Sequence, residues 1–167
     1  MAQRNKITIE DLTPTDIFAR NFRGAATKFR AAGKRTFCIW IPEEVAIPLQ
    51  EDGWNIKVAS PKEEGDPVRY YLEIEVSYKN VPPKIVLVNR RYKKVLDEDT
   101  VYMCDSVNIE KADVRISPYY WEMAGNTGIK AYLDTMFITL VDDPLEDKYE
   151  NIPYSSTDLF MSGEDEG

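Results

Sequence analysis

Two long runs, Asp113 to Met123 and Ile129 to Val141, stand on either side of Ala124-Gly125-Asn126-Thr127-Gly128, and this arrangement constrains the fold more than any other feature of the chain. Glycine and asparagine accept the positive φ that a tight connection between antiparallel strands demands, so the block predicts a hairpin. A long hairpin needs further strands to cover its apolar side, and the sequence offers them. Residues 6–10 alternate, the Phe18–Phe22 region starts another candidate, and Phe37–Ile41 is β-branched and aromatic. Trp54 to Val58 alternates again, Tyr70 to Tyr78 does so strictly, and Ile85–Val88 follows Pro82-Pro83. Helical signals are few. Pro42-Glu43-Glu44 opens a short amphipathic segment that Gly53 ends, and Asp97-Glu98-Asp99-Thr100 resembles a second helix start. Many strands, few short helices and no strand–helix–strand rhythm predict a mainly β protein, a closed or partly closed barrel.

Past Val141 the pattern fails. Asp142-Asp143-Pro144 stops the last strand, and the remaining residues are too polar to offset their ordering entropy, so a folded domain over residues 1–141 and an acidic, largely disordered tail over 142–167 are expected. Charge divides at the same place. The chain carries a net charge of −8, yet residues 1–141 hold 20 Lys and Arg against 20 Asp and Glu, while residues 142–167 hold one Lys and nine acids. Within the neutral body no acid occurs between Asp16 and Glu43, where Arg20, Arg23, Lys28, Arg30, Lys34 and Arg35 are interleaved with Phe18, Phe22, Phe29, Phe37 and Trp40.

Cationic side chains beside aromatic faces suit a single nucleic-acid strand, because the cations follow phosphates and the rings stack on bases at about 1–3 kcal/mol each. Phe22 and Phe29, set among Arg, Lys, Gly and Ala, favour stacking; Phe37 and Trp40 lie in a strand-like run and are read either as core or as stacking rings. A second basic cluster, Asn89-Arg90-Arg91-Tyr92-Lys93-Lys94, has the look of a loop at the end of a strand.

Several classes are disfavoured. The chain has no histidine, which removes the commonest general base and metal ligand, and Cys38 and Cys104 lack the spacing of a zinc or redox motif and read as two buried thiols. No apolar run approaches the roughly 18 residues of a spanning helix, and no secretory leader is recognisable, so a cytoplasmic protein without membrane contact is expected. No cofactor is implied. Glu146-Asp147-Lys148 has the outline of a metal-dependent nuclease motif but stands in the acidic segment without a strand around it.

Asn21-Phe22-Arg23-Gly24, Gly33-Lys34-Arg35-Thr36-Phe37, Glu51-Asp52-Gly53-Trp54-Asn55-Ile56-Lys57, Pro118-Tyr119-Tyr120-Trp121-Glu122 and Gly128-Ile129-Lys130-Ala131-Tyr132-Leu133, together with the acidic end, resemble the bacteriophage single-stranded DNA-binding proteins of the OB-fold type. The resemblance implies an OB-fold-like barrel of five strands, or an elaboration of it, with one or two short helices. It also implies sequence-tolerant strand binding without catalysis, and a tail that contacts replication or recombination proteins. Tails in that family often finish on an aromatic residue, whereas Phe160 lies seven positions before Gly167.

The expected interface places Arg20, Arg23, Lys28, Arg30, Lys34 and Arg35 near phosphates and offers Phe22, Phe29, Tyr119, Tyr120 and Trp121 as rings. Arg90, Arg91 and Lys130 extend the basic path. Of Tyr119-Tyr120-Trp121, alternation exposes at least one ring and sends either Tyr120 or the pair flanking it to the core. In the tail, Leu159-Phe160-Met161 is an apolar triplet suited to docking on a partner. The alternative to DNA binding is a protein-interaction or phage assembly module, in which the basic segment meets an acidic partner or another copy's tail; self-association is compatible with either reading.

Overall fold

The computed structural model describes residues 5–28, 30–79, 81–149 and 151–153. Among the described residues nine strands and two short helices follow one another as β1 (Ile7–Leu12), β2 (Ile17–Asn21), β3 (Arg35–Ile41), α1 (Glu43–Asp52), β4 (Ile56–Ala59), β5 (Arg69–Val76), β6 (Lys84–Val88), β7 (Lys93–Leu96), a 3-10 turn (Val101–Asp105), β8 (Ile109–Met123), β9 (Asn126–Leu140) and α2 (Pro144–Lys148). The strands join into one sheet in the order β1-β8-β9-β5-β3-β2, with β4 on β5 and the β6–β7 pair on β9. Most ladders are antiparallel, but β5 meets β9 in parallel through Ile74–Ala131 and Glu75–Tyr132. The buried side chains of these strands form one cluster, so the sheet wraps around a single core as a partly closed barrel in place of a flat layer.

The hairpin expected from sequence is the longest ladder of the molecule, yet its turn is shorter than the five-residue block suggests. Met123 already pairs with Asn126, leaving Ala124 and Gly125 as a two-residue connection with φ of 51° and 84°. Two positive φ values in succession match the right-handed twist of the strands they join. Between β6 and β7 the sequence reading of 89–94 as loop is corrected: the turn covers Asn89–Tyr92, closed by Asn89 Oδ1 accepting from the Arg91 and Tyr92 amides, and Lys93 begins a strand. The start read at Asp97 yields only the single 3-10 turn, and the segment after Val141 contains α2, whose Asp143 side chain caps the Leu145 amide. Among the described residues no helix is long and apolar enough to cross a membrane.

Strand alternation builds the core. Phe37 and Ile39 of β3, Leu72 and Ile74 of β5, Ile116 of β8 and Ile129, Met136 and Ile138 of β9 are fully buried. Phe22 joins them, stacked on Phe37 with ring centroids 4.9 Å apart. Both cysteines are buried and unpaired; burial pushes the Cys38 thiol up to about 11 and the Cys104 thiol up to about 12, which leaves them unreactive at neutral pH.

Ala124 carries a Cβ into a conformation that costs about 1–2 kcal/mol for a non-glycine residue and that asparagine tolerates better. Ala124→Asn is expected to stabilise the hairpin by roughly 1 kcal/mol. Thermal unfolding of the two forms measures it, and an unchanged or lower midpoint would contradict the assignment.

Candidate nucleic-acid interface

Alternation in β5 sends Leu72, Ile74 and Val76 inward and leaves Arg69, Tyr71, Glu73 and Glu75 on the opposite face. Register extends that face sideways. Trp40 lies opposite Tyr71 on β3, Lys57 opposite Tyr71 on β4, and Tyr132 of β9 beside Glu75, with Lys130 two residues earlier on the same side. Tyr119 of β8 lies opposite Lys130, and Trp121 opposite Gly128. The result is a continuous outer face across β3, β4, β5, β9 and β8.

The loop between β2 and β3 folds over part of this face. Gly24 adopts φ +73°, and its carbonyl accepts from the Gly33 amide at 2.7 Å, closing the base of the loop. A Cβ on Gly24 would stand 3.2 Å from the Gly33 carbonyl carbon, so the two backbones approach more closely than other residues allow. Arg30 is thereby brought over the sheet, donating to Thr36 Oγ1 at 3.1 Å and to both oxygens of Glu73 at 2.8 and 2.7 Å. Lys57 stands 3.7 Å from Glu73, Lys34 stands 3.9 Å from Glu75, and Lys130 is in contact with Glu75. Burial lowers the Lys34 pKa, and the neighbouring Lys130 charge adds to that effect against the pull of Glu75. For Lys130 burial acts in the same sense and is the largest effect, but the contact with Glu75 and the charges of Glu75, Tyr132 and Glu73 together outweigh it and raise the pKa.

Rings flank these charges on two sides. At the hairpin end Tyr119 and Tyr120 are 52% and 50% exposed, and Tyr119 meets Tyr132 edge to face at 5.5 Å. The Trp121 indole lies across Gly128 so closely that a Cβ there would be 2.6 Å from Trp121 Cζ2 and 2.7 Å from Asn55 Oδ1. On the other side Phe18 stacks on Trp40 at 4.5 Å, Tyr71 abuts both rings edge on, and the Arg69 guanidinium sits 3.9 Å from the Trp40 centroid. An open groove runs from Tyr119, Tyr120 and Trp121 past Lys57, Arg30, Lys34 and Lys130, then continues beside Glu75, Tyr78 and Lys79.

The residues singled out from sequence divide into groups. Arg30, Lys34, Tyr119, Tyr120, Trp121 and Lys130 converge in the groove. Phe22 does not: it is 0% exposed and belongs to the core, so it offers no ring to a ligand. The expectation that part of Tyr119-Tyr120-Trp121 enters the core is likewise corrected, because the β8–β9 arm extends beyond the barrel at that point. Arg20, Arg23 and Arg35 serve a different place. Arg20 Nη1 donates to the Cys104 and Val107 carbonyls, Arg23 Nε pairs with Asp105 at 3.2 Å, and Arg35 reaches Glu98 at 3.6 Å while lying against the Tyr78 ring. All three fasten the 97–107 segment rather than line the groove.

Lys28 is exposed on the loop; Phe29, Leu159, Phe160 and Met161 lie outside the described residues. Arg90 and Arg91 do not extend the groove either. They face α2, Arg90 pairing with Asp147 at 2.7 Å and Arg91 with Glu146 at 3.6 Å, so the carboxylates of the supposed nuclease motif are engaged by arginines. Val88 pairs with Thr139, nine residues along β9 from Lys130, which puts these arginines roughly 30 Å from the groove. Sequence reasoning missed Lys57, Arg69, Tyr71 and Tyr132 and left Trp40 open. Parity was the available signal: Phe37 and Trp40 are three residues apart and must face opposite ways in a strand.

A barrel face that combines strand-borne rings with a cationic row defines a binder of single-stranded nucleic acid. The chain belongs to the family described as "Putative phage ssDNA-binding domain", whose model matches residues 1–167, and it is a binding protein rather than an enzyme by that membership. The single-stranded DNA-binding protein from bacteriophage Enc34 in its C-terminally truncated form shares the fold, with a TM-score of 0.51 at 10% identity over 83% of this chain and 87% of that one. The same Enc34 protein in complex with ssDNA gives 0.50 at 10% identity over 83% and 88%. Gp2.5, a single-stranded DNA-binding protein encoded by bacteriophage T7, matches at a TM-score of 0.37 and 14% identity over 95% of this chain and 99% of that one. No curated protein matches the chain by sequence. The architecture is a mainly β, partly closed barrel with two short helices.

Gly128→Ala is expected to push the Trp121 indole off the strand and to cost about 1–3 kcal/mol as overpacking does. A red-shifted tryptophan emission with a lowered melting point is the anticipated result; wild-type emission would show that the ring does not rest on Gly128.

Proposed function

We propose that the outer face of β3, β4, β5, β9 and β8 holds single-stranded DNA with little sequence preference during phage replication or recombination. The observation that carries this reading is the convergence of Arg30, Lys34, Lys57 and Lys130 with Tyr119, Tyr120 and Trp121 in one groove. Phosphates follow the cations, and the rings stack on bases without reading them, since every base has a π face. Phe18, Trp40, Tyr71 and Arg69 provide a second stacking platform on the same face.

Tryptophan emission tests the reading directly. Trp54 is 3% exposed in the core and insulated, whereas Trp121 lines the groove. Adding oligo-dT is expected to quench emission, Trp121→Phe and Trp40→Phe each to remove part of that quenching, and Trp121→Ala to weaken binding on the order of tenfold, from about 1–3 kcal/mol per ring. With four groove cations log K should fall against log salt with a slope near −2.8, at about 0.7 per phosphate contact. Quenching that survives unchanged in the Trp40→Phe, Trp121→Phe double variant would move the site elsewhere.

The division into a barrel over residues 1–141 and an acidic appendage over 142–167 accompanies this reading. The appendage competes with DNA for the groove as a tethered polyanion, and Leu159-Phe160-Met161 docks replication or recombination proteins. Reach supports the competition. Glu164-Asp165-Glu166 follow Asp147 by 17 to 19 residues, and such a length extends to roughly 60 Å, about twice the separation of Arg90 from the groove. Deleting the chain after Pro153 leaves α2 on Arg90 and Arg91, so it separates competition from the uncovering of those arginines. This deletion is expected to tighten oligo-dT binding severalfold at low salt and progressively less as screening shortens the Debye length. Equal affinity with and without the segment would refute competition.

A further inference from the structure

Glu73 and Glu75 occupy the middle of a face whose partner is a polyanion, and we propose that these two carboxylates set the preference for single over double strands. The inference rests on the reading of the outer face as the DNA site. Both residues stand on β5, the strand flanked by β3 on one edge and by β4 and β9 on the other, and their side chains are only 19% and 18% exposed. Each is engaged by two cations: Glu73 by Arg30 and Lys57, Glu75 by Lys34 and Lys130. Glu73 remains an anion. Burial works against its charged form, but the Arg30 hydrogen bonds and the charges of Arg30, Lys57 and Lys34 outweigh burial and hold its carboxyl below the usual range.

Half the positive charge of the central row is therefore cancelled where DNA would lie. The consequence differs for the two polymers. Duplex DNA carries one charge per about 1.7 Å of axis against about 3.4 Å for one strand, so a bare cationic row would attract duplex more strongly. Rings act only on bases that are unstacked and accessible, which a duplex does not present. Removing charge while keeping rings lowers the term that favours duplex and spares the term that favours the single strand, and this sets a difference of affinities rather than a maximum of either. Geometry acts in the same sense. The carboxylates lie between Trp40 and Tyr71 on one side and Tyr132 and Tyr119 on the other, so a flexible strand can turn bases toward them and keep its phosphates at the lysines. A duplex has no such freedom.

Glu73→Gln, Glu75→Gln and the double variant, made in the full chain, are titrated with oligo-dT and with duplex of equal length at low and at physiological salt. Each single variant is expected to bind duplex up to roughly fivefold tighter at low salt, from a Coulomb interaction of about 1 kcal/mol between charges 4 Å apart in water, and the double variant up to roughly thirtyfold. Its duplex salt slope should steepen by about 0.9 for each cation released to phosphate. Single-strand affinity should rise less, so the ratio of single- to double-strand affinity falls. An unchanged or larger ratio overturns the proposal, as does weaker binding of both polymers at constant ratio, which would make the glutamates holders of the cations only. Glu75→Gln faces lysines alone and keeps the test valid should Glu73→Gln loosen Arg30, with melting points checking the fold of each. Lys130→Gln separates the two levels: if it weakens neither polymer the site itself is misplaced, whereas if it weakens them and the glutamate variants leave the ratio untouched only this proposal fails.

Discussion

The alternation of β5 is the constraint on which the rest of the molecule depends. One strand of eight residues supplies Leu72, Ile74 and Val76 to the core and Arg69, Tyr71, Glu73 and Glu75 to the opposite face, and it pairs with β3, β4 and β9. A slip of one residue against β3 would bury the carboxylates and expose the aliphatic side chains, so the same register that holds the core also fixes the spacing of rings and charges outside. The parallel contact with β9 matters as much, since it sets Tyr132 and Lys130 beside Glu75 and so brings the hairpin arm next to the loop bearing Arg30. Core and interface are two sides of one ladder.

Charge on the outer face is arranged as pairs, and this changes how its positive residues act. Arg30 Nη2 donates to both oxygens of Glu73 and Nη1 to Thr36 Oγ1 in a partly buried place, where these hydrogen bonds compensate desolvation. An isolated guanidinium on a mobile loop would have no fixed position. The pair therefore orders the loop over the sheet before any ligand arrives, which reduces the entropy lost on binding. The cost is a weaker net field.

Much of this is legible in the sequence, and the failures have physical reasons. All the strands but β7, the first helix and the long hairpin follow from local signals, because alternation, proline and glycine act within a few residues. Six of the proposed groove residues are likewise recoverable from basic and aromatic clustering. Phe22 misleads because its neighbours are Arg, Gly and Asn, yet its amide and that of Arg23 donate to Asp105 at 2.7 and 3.1 Å, a contact across 83 residues that turns the ring inward. Arg90 and Arg91 mislead for the same kind of reason, their partners lying more than 50 residues further on. β7 escapes notice because Lys93 and Lys94 hide an edge strand whose charge protects it from pairing. Composition reports what kinds of contact a segment can make, and only topology decides with whom.

The division of labour between arginine and lysine extends this point. Arg20, Arg23, Arg35 and Arg90 are committed to carbonyls or carboxylates of the protein, a use suited to a planar fork with fixed donor directions. The groove relies instead on Lys34, Lys57 and Lys130 around a single arginine. Lys34 and Lys57 stand 3.9 and 3.7 Å from their carboxylates, beyond hydrogen-bonding distance, on flexible stems with strongly hydrated heads. Such pairs exchange one anion for another at little expense. A phosphate can draw a lysine away from its glutamate without disturbing a strand, while the same demand on Arg20 or Arg23 would loosen the 97–107 segment. On the proposed binding mode, positive charge that holds the fold is carried by arginine and positive charge that changes partners mainly by lysine, while Arg30, which orders its loop on Glu73 and also lines the groove, serves both.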